Sequence, residues 1–199
     1  MTNSDICSTE VLLENENVLL RALELTDLEY LLPFALNEPE LWYYSLHSAA
    51  GEDQMKAYIK AGVEERKNGK SYPFIVFDKK SGTYAGVTRF YDINAEFKTL
   101  LLGYTWYGKA YQGTGLNKNC KYLLFQFAFE QLQMERIEFR ADAENSRSIA
   151  AMKSLGCKEE GLLRSHMPNG QGGRRDSVIL SMLRGEWFTE HSSRLLEKL

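Results

Sequence analysis

Residues 111–118 read Tyr-Gln-Gly-Thr-Gly-Leu-Asn-Lys, a glycine-rich turn of the kind that binds phosphate groups through its backbone. The turn directly follows the apolar, strand-like run 100–106 and precedes a segment with helical periodicity. Glycine lets the main chain approach an anion closely, and the first turn of a helix leaves N–H groups unpaired. The pattern predicts a pyrophosphate site, although tight packing alone also produces a Gly-x-Gly turn.

A second polar segment, residues 142–164, contains Asn145 and Ser148 at the start of a helical pattern. In a purely structural interpretation Asn145 caps this helix and Ser148 bonds back to the cap. In a functional interpretation Asn145 contacts a ligand and Ser148 presents a hydroxyl group to it. The residue types alone favour the structural interpretation. The apolar positions of the helix are Ile149, Met152 and Leu155, and Gly156 ends it.

Together the glycine turn, the Asn-x-x-Ser segment and the run Gly-Cys-Lys-Glu-Glu-Gly at 156–161 with Arg164 resemble the GNAT superfamily of acyl-CoA-dependent N-acetyltransferases. The resemblance covers about residues 18–183. It is strongest to the Rim-type branch, whose founding members acetylate N-terminal amines of ribosomal proteins. It implies a GNAT fold, acetyl-CoA as cosubstrate, a peptide N-terminus or small-molecule amine as acceptor, no metal, and a possible homodimer formed through the last strands.

The resemblance also assigns site residues. In the family the strand before the glycine turn is splayed from its neighbour, and its backbone binds the pantetheine arm. Ser148 stands where many relatives have a tyrosine acid and would protonate the CoA thiolate, a contribution of about 10²–10⁴ in rate. Ala110 replaces the usual Gln or Arg, so Lys109 or Lys118 is either the cation of the phosphate site or a solvated surface charge. The implied acetyl-CoA contacts are Tyr104, Thr105, Trp106, Gln112, Gly113, Thr114, Gly115, Leu116, Asn117 and Asn145.

A general base is harder to assign. The stretch 100–103 is Leu-Leu-Leu-Gly, whereas many relatives have a carboxylate there, and the three histidines lie outside the segments expected around the thioester. A lysine amine with a pKa of about 10.4 is almost wholly protonated at neutral pH, but an α-amine near 7.8 is partly neutral. We therefore expect an α-amine or another weakly basic amine to attack directly. Water or a peripheral carboxylate would take its proton, with Glu96, Asp142 and Glu144 as candidates.

Hydrophobic periodicity predicts the order β-α-α-β-β-β-α-β-α-β-β, which indicates an α/β (α+β) fold with a mixed, mostly antiparallel sheet flanked by helices. Strands are predicted at 18–23, 74–77, 84–91, 100–106, 137–142, 159–167 and 177–183, with a loop at 168–173. Helices are predicted at 26–37, 51–68, 116–128 and 145–156. We expect one domain, residues 1–199, with a core at 18–183 and a C-terminal helix at 186–199.

Composition limits the possible functions. A net charge of −3 and a pI near 5.7 argue against nucleic-acid and anionic-membrane surfaces, and no apolar run is long enough for a membrane span. Cys7, Cys120 and Cys157 lack metal-ligand spacing, which favours free thiols in the cytoplasm. The predicted function is acetyl-CoA-dependent N-acetyltransfer. The alternatives are a non-catalytic acyl-CoA sensor and a Rossmann-type nucleotide-binding domain, which the missing third glycine disfavours.

Overall fold

A computed structural model describes residues 2–170 and 172–199, and within them eight strands form one open sheet. The strand order is β1-β2-β3-β4-β5-β6-β8-β7, and the pairing is antiparallel except between β5 and β6, which run parallel. This is the mixed, mostly antiparallel sheet that the sequence predicted. The strands are β1 Leu12–Glu14, β2 Val18–Ala22, β3 Ser71–Asp78, β4 Thr83–Asn94, β5 Thr99–Tyr107, β6 Arg136–Asp142, β7 Lys158–Pro168 and β8 Arg174–Leu183.

Helices cover both faces of the sheet. They are α1 Asn3–Ser8, α2 Leu28–Asn37, α3 Glu52–Lys67, α4 Leu116–Gln126, α5 Ser146–Ser154, α6 Arg184–Glu186 and α7 Ser192–Leu196. A π-helical turn, Phe127–Gln131, extends α4, and another, Trp187–His191, joins α6 to α7. Alternate residues of a strand point to opposite faces, so Phe74 packs on the α4 face while Ile75 packs on the α2–α3 face.

The predicted elements are all present, with boundaries that differ by a few residues. The helix at 186–199 begins earlier, at Arg184, because the Glu186 side chain accepts the backbone N–H of Leu183. Two elements, α1 and β1, were not predicted. Helix α1 is short, and a capping box between Thr2 and Asp5 stabilises its N-terminus. The predicted loop 168–173 contains Gln171, which lies outside the described residues.

Helix α4 has the apolar face that its periodicity predicted. Its buried residues pack with strands β2 to β6 and with Trp187, whose ring contacts Phe125 and Phe129. The three cysteines are buried free thiols. Across residues 2–170 and 172–199, no helix is long and apolar enough to cross a membrane.

The end of α5 depends on Gly156. Its φ of +96° lies in the left-handed region, and a Cβ there would stand 2.5 Å from Nδ1 of His191. We expect Gly156→Ala to lower the free energy of unfolding by about 1–3 kcal/mol, through backbone strain and displacement of the imidazole. Gly161→Ala is the control, because a Cβ there meets nothing within 4 Å. Urea denaturation of both variants tests this, and equal midpoints would contradict it.

Candidate active site

The candidate site is a cleft of about 890 Å³ that opens where β5 and β6 separate. The two strands pair only at Thr99–Arg136, Leu100–Ile137 and Leu101–Glu138, whereas β4 stays paired with β5 as far as Tyr107. From Leu102 onward β5 has no partner strand on its β6 side among the described residues. The walls are residues 102–107 of β5 and 139–142 of β6, and the β5 wall offers a free strand edge for an extended ligand.

A bulge shapes the β5 wall. Val87 of β4 pairs with Trp106 of β5, and Arg89 pairs with Gly103. Between these two pairs β5 has one more residue than β4. The bulge lies at Tyr104, whose φ is +49°. The Tyr104 ring lies over the guanidinium of buried Arg89, with 4.6 Å from Cζ to the ring centroid. Burial raises the pKa of the Tyr104 hydroxyl, which is therefore neutral at neutral pH.

The glycine turn forms one end of the cleft and leads into α4. Gly113 and Gly115 have φ values of +76° and +92°, and Gly115 is the N-cap position of α4. Among the described residues, the backbone N–H groups of Gly113, Thr114, Gly115 and Asn117 donate to no protein acceptor. Four unpaired N–H groups at a helix N-terminus favour an anion at this end.

Cations lie near the turn. Arg147 of α5 donates to Oε1 of Gln112, whose Nε2 donates to the Tyr107 carbonyl at 2.8 Å. Lys118 lines the cleft and makes no ion pair within residues 2–170 and 172–199. Lys109, by contrast, pairs with Glu40, which raises the pKa of the lysine. The available cations are therefore Lys118 and Arg147, and Arg147 was not predicted because its reach to the turn is a tertiary contact.

Asn145 and Ser148 lie on the cleft wall at the start of α5. The Asn145 side chain accepts the Ser148 backbone N–H at 3.1 Å, which is the capping bond of the structural interpretation. The Ser148 hydroxyl has no hydrogen-bond partner in the described part of the chain and is only half-buried. Capping and ligand contact are thus compatible, because the cap uses the backbone of Ser148 and leaves its hydroxyl available.

Lys121 of α4 is a buried cleft residue that the sequence analysis missed. Its side chain is covered by the β4 and β5 strands, and the residue is 4% exposed. Nζ lies 3.1 Å from Oγ1 of Thr88 and 2.9 Å from Oγ1 of Thr105, and the two hydroxyl oxygens are 2.8 Å apart. Burial lowers the pKa of Lys121 to about 8. In the sequence, the only sign of this role is that Lys121 is a polar residue beside the apolar face of a predicted helix.

Part of the cleft lining is aromatic. Trp42 and Trp106 pack edge to face at 5.3 Å, and Tyr58, Tyr91 and Tyr104 also line the cleft. Arg175 of β8 lines it as well and donates to the Tyr44 carbonyl at 3.3 Å, and among the described residues it has no ion pair. Exposed His47 lies on the rim, a position that the sequence did not predict.

The structure brings most predicted site residues into this one cleft. Its lining includes Tyr104, Thr105, Trp106, Gln112, Gly113, Gly115, Asn117, Asn145 and Ser148. Thr114 and Leu116 do not line it: the Thr114 hydroxyl donates to the Tyr111 carbonyl, and the Leu116 side chain is in the core. Of the proposed peripheral carboxylates, Asp142 lines the cleft, whereas Glu96 and Glu144 do not.

The described residues contain no group of three or more His, Cys, Asp or Glu side chains able to hold a metal ion.

Comparison with known proteins identifies similar chains. A family model described as "Acetyltransferase (GNAT) domain" matches residues 17–158. YdaF of Bacillus subtilis, provisionally named a ribosomal N-acetyltransferase, is 26% identical over 182 residues, which cover 88% of this chain and 96% of that protein. The spermidine N(1)-acetyltransferase of Escherichia coli K12 is 26% identical over 187 residues, 89% of this chain and 91% of that enzyme.

A solved structure is also similar. Mycobacterium smegmatis RimJ, in complex with CoA-disulfide, superimposes with a TM-score of 0.79 at 18% identity and covers 95% of this chain and 93% of that one. At this identity the likeness shows the fold.

The anion-binding role of the turn can be tested with two glycines of similar conformation. Gly113 and Gly82 have φ values of +76° and +69°, and a Cβ at either meets nothing within 4 Å. Only Gly113 is in the cleft. Alanine at either position costs a similar backbone strain of about 1–3 kcal/mol. We expect Gly113→Ala to raise the Kd for CoA at least tenfold and Gly82→Ala to leave it unchanged, measured by calorimetry; equal Kd values would contradict this.

Proposed function

Because the chain belongs to the acetyltransferase (GNAT) domain family and is an N-acetyltransferase, we propose that it transfers the acetyl group of acetyl-CoA to a primary amine by direct attack in a ternary complex. The observation that carries this proposal is the cleft between β5 and β6. One side of it is a free strand edge, one end has unpaired N–H groups, and the opposite wall has an unpaired hydroxyl. Positioning of amine and thioester in such a cleft supplies much of the rate.

The residues present fit acetyl-CoA. In our proposal the N–H groups of Gly113, Thr114, Gly115 and Asn117 bind the pyrophosphate, with Lys118 and Arg147 as nearby cations. The backbone of Tyr104, Thr105 and Trp106 binds the pantetheine arm in the manner of an added strand. Thr114 contributes through its backbone N–H, because its side chain does not line the cleft, whereas the N–H of Leu116 donates to Oγ1 of Thr114. Bound acetyl-CoA supplies the activated acetyl group.

Ser148 is the proposed acid. Attack of the amine gives a tetrahedral intermediate, and its collapse breaks the carbon–sulfur bond and expels the CoA thiolate. A hydroxyl group within reach of sulfur gives its proton to the thiolate and recovers one from the nitrogen of the product, directly or through water. The Ser148 hydroxyl is suited to this role because Ser148 lines the cleft and its hydroxyl has no hydrogen-bond partner among residues 2–170 and 172–199.

The acceptor is proposed to be an α-amine or another weakly basic amine. A polyamine would need several carboxylates, and those in the cleft lining are Glu40, Asp92 and Asp142. Of these, Glu40 is paired with Lys109, and Oδ1 of Asp142 accepts the Glu144 N–H. Arg140 and Arg175 line the same cleft. Because the cleft lining has few free carboxylates and several arginines, it favours an acceptor with one positive charge over a polycation.

We expect thiol release from acetyl-CoA with α-amino peptides to exceed that with N-terminally blocked lysine peptides, spermidine or aminoglycosides by at least tenfold in kcat/KM. The physical reason is the larger neutral fraction of an α-amine at neutral pH. A preference for lysine side chains or polyamines would contradict the acceptor proposal. CoA binding without turnover on any amine in the panel would refute the proposed transfer to a primary amine.

Ser148→Ala should lower kcat on the preferred amine at least tenfold, because the thiolate then leaves without a proton donor. Ser146→Ala is the matched control, since Ser146 is exposed on the same helix and does not line the cleft. The acid role fails if both variants keep the kcat of the unsubstituted enzyme.

A further inference from the structure

Lys121, Thr88 and Thr105 form a closed triangle of hydrogen-bonding groups beneath the bulge of β5. The three sides measure 2.8 Å between the hydroxyl oxygens, 2.9 Å from Nζ to Thr105 and 3.1 Å from Nζ to Thr88. Thr88 is fully buried, whereas Thr105 is half-buried and lines the cleft. Thr105 therefore lies at the surface of the cleft, and Lys121 is covered by strands β4 and β5.

The triangle provides one acceptor for an N–H of a neutral lysine amine and one donor for its lone pair. Thr88 O–H can donate to Thr105, Thr105 O–H to the lone pair of Nζ, and one N–H of Nζ to Thr88, so every side of the triangle holds one hydrogen bond. An ammonium group has no lone pair, so the Thr105 proton must turn away. The Gly103 carbonyl lies 3.3 Å from Oγ1 of Thr105 and accepts it there. Uptake of a proton thus requires the rotation of one hydroxyl group.

The proposed N-acetyltransfer needs a proton acceptor. Strand β5 carries no carboxylate, and on the β6 wall Oδ1 of Asp142 already accepts the Glu144 N–H. We propose that Lys121, reached through the Thr105 hydroxyl, is the general base that accepts the proton of the acceptor amine. This inference rests on the proposed function and adds the residue that the sequence analysis could not assign.

The ammonium form of the acceptor gives one proton to Oγ1 of Thr105 while the Thr105 O–H proton passes to the lone pair of Lys121 Nζ. The neutral amine then attacks the thioester carbonyl carbon, and the carbon–sulfur bond breaks with protonation of sulfur by Ser148. Ser148 regains a proton from the nitrogen of the product, which leaves a neutral amide. The lysine ammonium releases its proton to solvent before the next turnover. The net change converts an ammonium and acetyl-CoA into an amide, CoA thiol and one proton.

The electrostatic surroundings agree with this assignment. Lys121 makes no ion pair within residues 2–170 and 172–199, so no carboxylate there stabilises its charged form. The titratable groups that face it are the thiol of Cys120 on its own helix and that of Cys157, between α5 and β7. Burial raises the pKa of each thiol to about 12, so both are neutral. Desolvation lowers the pKa of Lys121 to about 8, which leaves part of it unprotonated at neutral pH.

The test compares kcat/KM across pH for the whole enzyme with its preferred amine. We expect Lys121→Met to lower kcat/KM at least a hundredfold with less than a threefold change in the Kd for CoA. Lys121→Arg should be equally impaired because arginine is always protonated. Thr105→Val should lower kcat/KM by a similar factor, whereas Thr105→Ser should keep most of the activity. The double variant that combines Lys121→Met with Thr105→Val should lose little more activity than either single variant. Lys60→Met, an exposed lysine on α3, is the control.

Activity retained in Lys121→Arg would overturn the proposal in favour of a charge role, and a Kd for CoA that rises with the loss of activity would assign Lys121 to ligand binding. If Asp142→Asn lost its activity and Lys121→Met kept it, the role of general base would belong to Asp142. No turnover in the unsubstituted enzyme would refute the proposed function itself.

A stability measurement reports on the lysine independently of turnover. The pKa of Lys121 is lower in the folded state than in the unfolded state, so the folded enzyme gains stability relative to Lys121→Met as pH rises from about 8 towards the unfolded value of about 10.4. A pH-independent difference between the two would show that Lys121 does not titrate in this range, and would exclude it as the base.

Discussion

The site depends on one mismatch in strand pairing: β5 keeps β4 as its partner to its end but leaves β6 after Leu101. A parallel pair joined by a helical crossover would ordinarily continue along both strands. The extra residue of β5 at Tyr104 lies just beyond the point of separation, and a bulge bends the strand that contains it. A second bulge, opposite in sense, lies in β4 between Tyr91 and Asn94 and restores the register. The cleft is therefore a product of sheet geometry rather than of a loop.

Buried polar groups hold the bulge in place. Arg89 of β4 is 3% exposed, pairs with Glu65 of α3 at 2.8 Å and lies under the Tyr104 ring. A buried guanidinium is stable only with such partners, so the position of Tyr104 is tied to α3 as well as to β4. Lys121 supports the next residue, Thr105, from the opposite face of the sheet. The same strand segment is thus fixed from both faces, which suits a surface that must bind an extended ligand without rearranging.

Local patterns in the sequence predicted the glycine turn, the apolar face of α4 and the Asn145 cap because each of these is specified by neighbouring residues. The mostly antiparallel sheet followed from the strand order, and the comparisons confirm the family. The catalytic assignment of Ser148 remains a prediction.

Lys121 could not be predicted, because its burial depends on Thr88 and Thr105, which are 33 and 16 residues away in the chain. Arg147 and His47 were missed for the same reason: their places in the cleft are set by tertiary packing. Helix α1 was missed because six residues are too few for a periodic signal.

In the proposed mechanism the two proton transfers occur on different walls of the cleft. Ser148 acts from α5 on sulfur, and Lys121 acts through β5 on nitrogen, so neither group has to serve both atoms. The base also influences which amine reacts. Proton transfer from an α-ammonium with a pKa near 7.8 to a lysine with a pKa of about 8 is nearly thermoneutral, whereas transfer from a lysine ammonium near 10.4 is uphill by about 3 kcal/mol. A preference for weakly basic amines then follows from the pKa of the general base, independently of the shape of the cleft.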